Sequence, residues 1–161
     1  MVSTKQDIVK AASAFVDRAE STAARLSTAD WQKTVYEGGW NVKQVYCHLA
    51  AMGGTALFLI NMAASPLPPP GGGQGGFDVD AWNAREVGAR QAKPIEEILA
   101  ELKSGYARSI DAIKATSDEL LAREMTTFWG ESGTLAELIM TSVIDHNGQH
   151  LDDVESALRA G

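Results

Sequence analysis

Cysteine is all but missing from this chain, and a single Cys47 excludes an internal disulfide framework. Clusters of basic residues are missing too. Lys and Arg number 14 against 21 Asp and Glu, giving a formal charge of −7. No stretch gathers the positive charge needed to neutralise nucleic-acid phosphates, so a nucleic-acid partner is not expected. The longest apolar region, Leu49 to Ala64, is interrupted by Gly53, Gly54, Thr55 and Asn61. It reads as a core helix, and no membrane partner is expected. Met1 to Lys10 lacks a basic-flanked apolar core and a small-residue cleavage site, so no secretory signal is read there and the cytoplasm is the expected compartment. Internal repeats and convincing strand alternation are absent as well.

What remains is helical periodicity across 161 residues, a length that fits one domain, 1–161, with a core of its own. Ser3 with Gln6 reads as a capping box for a first helix reaching about Ser27, with Ile8, Ala12, Phe15, Ala19, Ala23 and Leu26 on one face. After a connection with a Gly38-Gly39 turn, Asn41 and Gln44 cap a second helix from Val42 to Ala64. Trp40, just before that cap, suits either a hydrophobic staple on Val45 or a wall of a ligand pocket. The run from Ser65 to Gly76 is so rich in Pro and Gly that it reads as a loop, with gating of a site as a second possibility. A short helix opens near Asp80 and carries Trp82, Asn83 and Arg85, placed for either substrate contact or helix packing. Pro94, Glu96 and Glu97 begin a third long helix to about Thr116. Thr134 and Glu137 cap a fourth, to about Arg159. The pattern predicts an all-α four-helix bundle, with enough chain between helices two and three for a long crossover that lets them run parallel.

Only three histidines occur, His48, His146 and His150. His146 and His150 are four apart and share a helix face, near the centre of a stripe with Leu135, Leu138, Ile139, Val143, Val154 and Ala157. His48 sits on the inward face of helix two with Val45, Met52 and Leu59. Three imidazoles converging in one apolar interior are costly to desolvate unless something satisfies their nitrogens. A divalent metal would, and three protein ligands with an open position is the pattern of a reactive site. At about 1.5 Å per residue, His48 lies roughly 10 Å from the start of helix two and His150 roughly 14 Å from the end of helix four, so antiparallel packing brings them level. Asp153, three residues after His150, is placed for a supporting contact to that imidazole or for solvent. Asp145 and Asp152 fall off this face and read as solvated. Cys47 points away from it and reads as a small buried residue. A further stripe of Met140, Ile144, Leu151 and Leu158 covers a neighbouring helix or forms a dimer face.

Gly39-Trp40-Asn41-Val42-Lys43 leading to His48-Leu49-Ala50, with Asp145-His146, His150 and Asp152-Asp153 near the end, resembles the DinB-like superfamily. That group includes the mycothiol-dependent maleylpyruvate isomerase amino-terminal domains and the bacillithiol transferases. The resemblance implies a down-up-up-down bundle, frequent homodimers and a divalent metal on His48, His146 and His150. Zinc is the first expectation, with nickel or another transition metal also suited to imidazole. Such a metal lowers the pKa of a coordinated water to about 7, or favours the thiolate of a small thiol. The leading expectation is therefore transfer of a low-molecular-weight thiol to an electrophilic small molecule. Metal-assisted hydrolysis is the alternative enzyme reading, and a non-catalytic, stress-related small-molecule-binding bundle the alternative of a different class.

Overall fold

The computed structural model describes residues 3–65 and 76–161. The Pro- and Gly-rich run at 66–75, read from the sequence as a loop and candidate gate, lies outside the described residues. Four helical rods form a bundle of down-up-up-down topology, as the periodicity and the resemblance lead one to expect.

Helix α1 spans Lys5–Ala23 and opens on Thr4, one residue later than the Ser3–Gln6 pairing predicts. Thr4 Oγ1 accepts from the Asp7 amide at 3.2 Å, and an Asp7 carboxylate oxygen accepts from the Thr4 amide at 2.9 Å. A charged carboxylate bonds the free amides more strongly than a glutamine amide and favours the positive helix end, which decides the register. The helix also ends short of Ser27. Ser27 instead exchanges reciprocal bonds with Asp30, the first residue of a single 3₁₀ turn, Asp30–Gln32, and this turn buries Trp31 edge-on against Tyr46.

The second rod is two helices rather than the single one expected, α2 at Val42–Met52 and α3 at Thr55–Ala64. They part at Gly53-Gly54 because the third rod, α5 (Ile95–Ala115), crosses there with its backbone almost touching. A Cβ on Gly105 would lie 3.1 Å from Gly53 Cα, and one on Gly53 would lie 3.2 Å from Gly105 Cα. Ser109 Oγ donates to the Gly53 carbonyl at 2.7 Å, satisfying an acceptor that the broken helix frees. By length and composition alone Val42–Ala64 would pass for a membrane span, with mean hydropathy 1.4. Half of that stretch is buried inside the bundle, which accounts for its apolarity.

The crossover to α5 carries α4, Val79–Gly88, which is capped by Asp78 and packs on α2. Arg90 ties the crossover to both sides, pairing with Glu86 at 2.9 Å and Glu101 at 2.7 Å. After α5 comes one turn, α6 (Asp118–Leu121), and then a feature the sequence reading lacks, an antiparallel hairpin of β1 (Glu124–Thr126) and β2 (Ser132–Thr134). Strands of three residues are too short to display alternation, so periodicity has no power there.

The fourth rod begins as α7, Leu135–Leu138, and ends as α8, His146–Arg159, with seven residues of π-helix between them, Ile139–Asp145. It is locked to α1 by Arg18, whose guanidinium meets Asp152 at 2.6 Å and Glu155 at 2.9 Å. Asp152 is thus paired rather than simply solvated. The core joins Ile8 and Phe15 of α1, Tyr46 and Leu49 of α2, Leu102 and Tyr106 of α5, and Val143 and Val154 of the fourth rod. Ile144 and Leu151 are buried, and Met140 and Leu158 pack against the same core, so this stripe covers neighbouring helices of its own chain.

Two glycine replacements separate close approach from helix propensity. Gly105→Ala pushes a methyl group into the Gly53 backbone and should lower stability by about 1 kcal/mol, overpacking exceeding the helix-propensity gain. Gly148→Ala, whose Cβ meets nothing within 4 Å, should raise it by about 0.5–1 kcal/mol. Urea midpoints moving in the same direction for both would contradict this description of the crossing.

Candidate metal centre

The reciprocal Asn41–Gln44 bonds that open α2, at 3.0 and 2.9 Å, fix its first turn, and the next turn delivers His48 inward at 2% exposure. From the fourth rod, His146 and His150 arrive directly after the π segment. Its i→i+5 bonding spends more residues per turn, so the face these histidines share is rotated from the one that 3.6 periodicity assigns. Both meet a cavity rather than dry core. His150 is half-buried and His146 exposed, so only His48 is enclosed as the stripe argument predicts. Asn147 lies between them on the opposite side, fully buried, and its Nδ2 donates to the Tyr106 hydroxyl, which holds α8 in this rotation.

One ligand atom from each of the three imidazoles lies within 4.8 Å of the other two. His146 Nε2 and His150 Nε2 stand 3.2 Å apart. Two nitrogens on one tetrahedral zinc at roughly 2.0–2.1 Å would be about 3.3 Å apart, so the spacing suits a shared ion. His48 supplies the sharper observation: both its ring nitrogens are buried and neither has a hydrogen-bond partner among the described residues. A buried imidazole left this way is costly, and a bound cation would satisfy one nitrogen. The residues present therefore fit a divalent metal.

Four further side chains, those of Tyr36, Asp153, Trp40 and Glu131, organise the cluster. The Tyr36 hydroxyl lies 2.7 Å from His150 Nδ1 and donates to Asp153 Oδ2 at 2.8 Å. With its proton committed to Asp153, the hydroxyl accepts from Nδ1–H, leaving the Nε2 lone pair of His150 directed at the cluster. Asp153 thus reaches His150 through Tyr36, not through the direct contact that its spacing suggests. The turn that brings Tyr36 back is closed by the Gly39 amide on the Tyr36 carbonyl at 2.8 Å and needs Gly38 at φ +70°. Trp40, leaving the same turn, lays its indole 5.1 Å from the His48 ring, which makes it a wall of the site. Glu131, in the hairpin loop, is anchored through Oε2 by Trp129 Nε1 at 3.0 Å and by Ser142 Oγ. Among the described residues its other carboxylate oxygen receives no such bond.

Burial dominates the electrostatics. It pushes the imidazolium of His48 down to about 3, reinforced by the two neighbouring imidazoles. His150 falls to about 4 for the same reasons, against a small opposing pull from Asp153, and His146 is lowered by burial against the Glu131 charge. All three are neutral at pH 7, the state in which imidazole ligates. Glu131 stays ionised, held low chiefly by its bond from Ser142.

The cluster forms the floor of a cavity of about 680 Å³. Trp40, Trp82 and Asn83 line it, as does Met52, read from the sequence as core filler; Arg85 does not, and pairs instead with Glu86 at 3.3 Å. Cys47 is buried and points elsewhere. Sequence reasoning missed Tyr36, Glu131 and the aromatic residues Phe58, Phe77, Phe128 and Trp129. Tyr36 lies in a turn 114 residues before His150 and Glu131 in a hairpin loop, and no spacing rule connects either to a helix face; only the Gly38-Gly39 signal pointed toward Tyr36.

Comparison with known proteins adds the following. The model of one family, described as the DinB superfamily, matches residues 5–154. No curated protein matches the chain. Among solved structures, YfiT from Bacillus subtilis, described as a probable metal-dependent hydrolase with an unusual four-helix bundle topology, shares 17% identity at a TM-score of 0.76, over 97% of this chain and 86% of its own. The mycothiol-dependent maleylpyruvate isomerase shares 15% at 0.74, and its histidine-to-alanine variant 14% at 0.73. Each match covers 94% of this chain but only 61% of the isomerase, so this chain spans less than two thirds of that enzyme's length. At these identities the solved structures speak for the fold.

Depressed imidazole pKa values make acid destabilising before carboxylates titrate. The unfolded chain takes up protons below about pH 6.5, while folded His150 and His48 resist until about 4 and 3. Stability is therefore full above pH 6.5 and declines as pH falls toward those values, because the unfolded state binds more protons. The thermal midpoint of chelator-treated protein should fall steadily from pH 6.5 to 5. A midpoint flat or rising across that window would contradict burial of neutral imidazoles.

Proposed function

The chain belongs to the DinB superfamily, and from that premise we propose that His48, His146 and His150 hold one divalent metal, zinc in the first instance, at which a low-molecular-weight thiol is transferred to an electrophilic small molecule. The observation that carries the site is the partnerless, buried His48 ring meeting two further neutral imidazoles. A divalent ion there supplies Lewis acidity that lowers the pKa of a thiol or water reaching it. The protein's own groups do the rest. The Tyr36–Asp153 pair fixes the tautomer of His150, and the Trp40 indole excludes water from one side of His48. Glu131, an ionised carboxylate lining the same cavity as His146, is the protein group suited to take up the proton of the nucleophile. Transfer forms a carbon–sulfur bond while the S–H bond breaks, its proton passing to Glu131 and then to solvent, and the bond from carbon to the leaving group breaks, that group departing to solvent with the electron pair. The thiol reading draws support from the mycothiol dependence of the isomerase that this bundle resembles.

A second reading, hydrolysis, is favoured by Glu131 itself, since an anchored carboxylate beside the cluster suits orientation of a water.

Zinc-loaded protein mixed with a panel of small thiols and 1-chloro-2,4-dinitrobenzene should form thioether in a thiol- and zinc-dependent way, read by absorbance. Loss of that activity in His48→Ala is expected. Equal product without zinc would refute the reading, and cleavage of p-nitrophenyl esters with no thiol requirement would replace transfer by hydrolysis. Tyr36→Phe should weaken zinc binding about 10–100-fold in competition with a chromophoric chelator, whereas Glu131→Gln should retain zinc and lose turnover. Unchanged affinity in Tyr36→Phe would remove the tyrosine from its supporting role.

A further inference from the structure

The cavity above the histidines is unusual in its charge. Among the described residues no lysine or arginine lines it, and beside its neutral imidazoles the one ionised lining group is an anion, Glu131. The segment at 66–75, Pro-Leu-Pro-Pro-Pro-Gly-Gly-Gly-Gln-Gly, contains no charged side chain that could add a cation. Arg85, the nearest cation in sequence to Trp82, is turned onto Glu86. A carboxylate, sulfonate or phosphate on a ligand would find no protein counter-charge among the described residues and would share the cavity with the Glu131 carboxylate.

The walls point the other way. Phe58 packs edge-on against Phe128 at 5.6 Å, Phe128 against Phe77 at 4.6 Å, and Phe77 is tilted against Trp82 at 6.4 Å. These rings come from α3, the hairpin loop and the start of the α4 segment, and together they make one aromatic wall. It is not core: Phe58 is 46% and Phe77 36% exposed, and with Val79 at 45% they are the large apolar side chains that the described residues leave to solvent. All three line this cavity. Apolar surface kept open around a pocket is the mark of a face meant to be covered by a ligand. About 680 Å³ suits a small organic molecule.

We infer that the cavity accepts an uncharged, flat, apolar molecule, an aromatic compound in particular, laid between this aromatic wall and the histidine floor. The inference rests on the reading of the cavity as the substrate site and narrows the electrophile to neutral aromatic compounds, since no arginine or lysine among the described lining residues could clamp a dicarboxylate and the metal alone would be left to face it.

A matched pair of probes tests it on the full chain in the presence of chelator, with 2-acetylnaphthalene as the neutral member and 2-naphthoate as the anion, binding being read by quenching of tryptophan fluorescence. The neutral probe should bind at least about tenfold tighter. Phe128→Ala should weaken it several-fold, and Asn83→Arg should shift the preference toward 2-naphthoate. Equal or tighter binding of 2-naphthoate to the unsubstituted protein, or indifference to both substitutions, would overturn the inference. Because this selectivity is read without metal, zinc uptake with no preference between probes sinks the substrate class alone. Preference without zinc uptake sinks the metal reading alone.

Discussion

An imidazole buried with neither nitrogen bonded is the constraint on which this structure turns. His48 lies at 2% exposure on the inner face of α2, and nothing among the described residues offers its ring a hydrogen bond. Left so, the ring is a liability to a fold whose net stability is a small difference between large terms. The surrounding arrangement makes sense as compensation for it. The fourth rod presents two further imidazoles at the same height. A tyrosine commits one of these to the tautomer that leaves a lone pair facing inward, and an indole covers His48 itself.

Placing these groups together depends on backbone detail far from any of them. The rod bearing His48 approaches α5 closely because Gly53 meets Gly105 with no side chain on either, and Ser109 takes over the carbonyl that the broken helix releases. The rod bearing the other two is rotated by its π segment and anchored by Asn147 on Tyr106 and by Arg18 on Glu155. Helices with π insertions are rare and recur at functional sites. This one precedes His146 directly.

Much of that was legible in the sequence, and the boundary of legibility is physical. Apolar periodicity is a local signal, so the long helices, the Asn41–Gln44 and Thr134–Glu137 caps and the inward face of His48 could be read from spacing alone. The same signal placed His146 too deep, because an assumed 3.6 residues per turn cannot register a π segment. It merged α2 with α3 because a glycine pair interrupts a helix only where another backbone comes close. Tyr36 and Glu131 were invisible for a different reason. Each acts from irregular chain that carries no periodicity, Tyr36 at 114 residues from His150 and Glu131 from a hairpin loop 11 residues before Ser142, and tertiary contact brings them to the cluster. The aromatic wall escaped likewise, since Phe58, Phe77 and Phe128 lie on three segments that have no common period.

Whether the three histidines hold an ion decides the chemistry open to this site. The most direct measurement is the metal content, by plasma mass spectrometry, of protein expressed without an affinity tag and purified without added metal, beside the His48→Ala protein handled identically. Close to one equivalent per chain, removed by chelator and absent from the variant, is the predicted result. Less than a tenth of an equivalent in correctly folded protein that also takes up no added zinc would contradict it, leaving His48 as an unsatisfied core residue in a bundle that binds its ligand without metal.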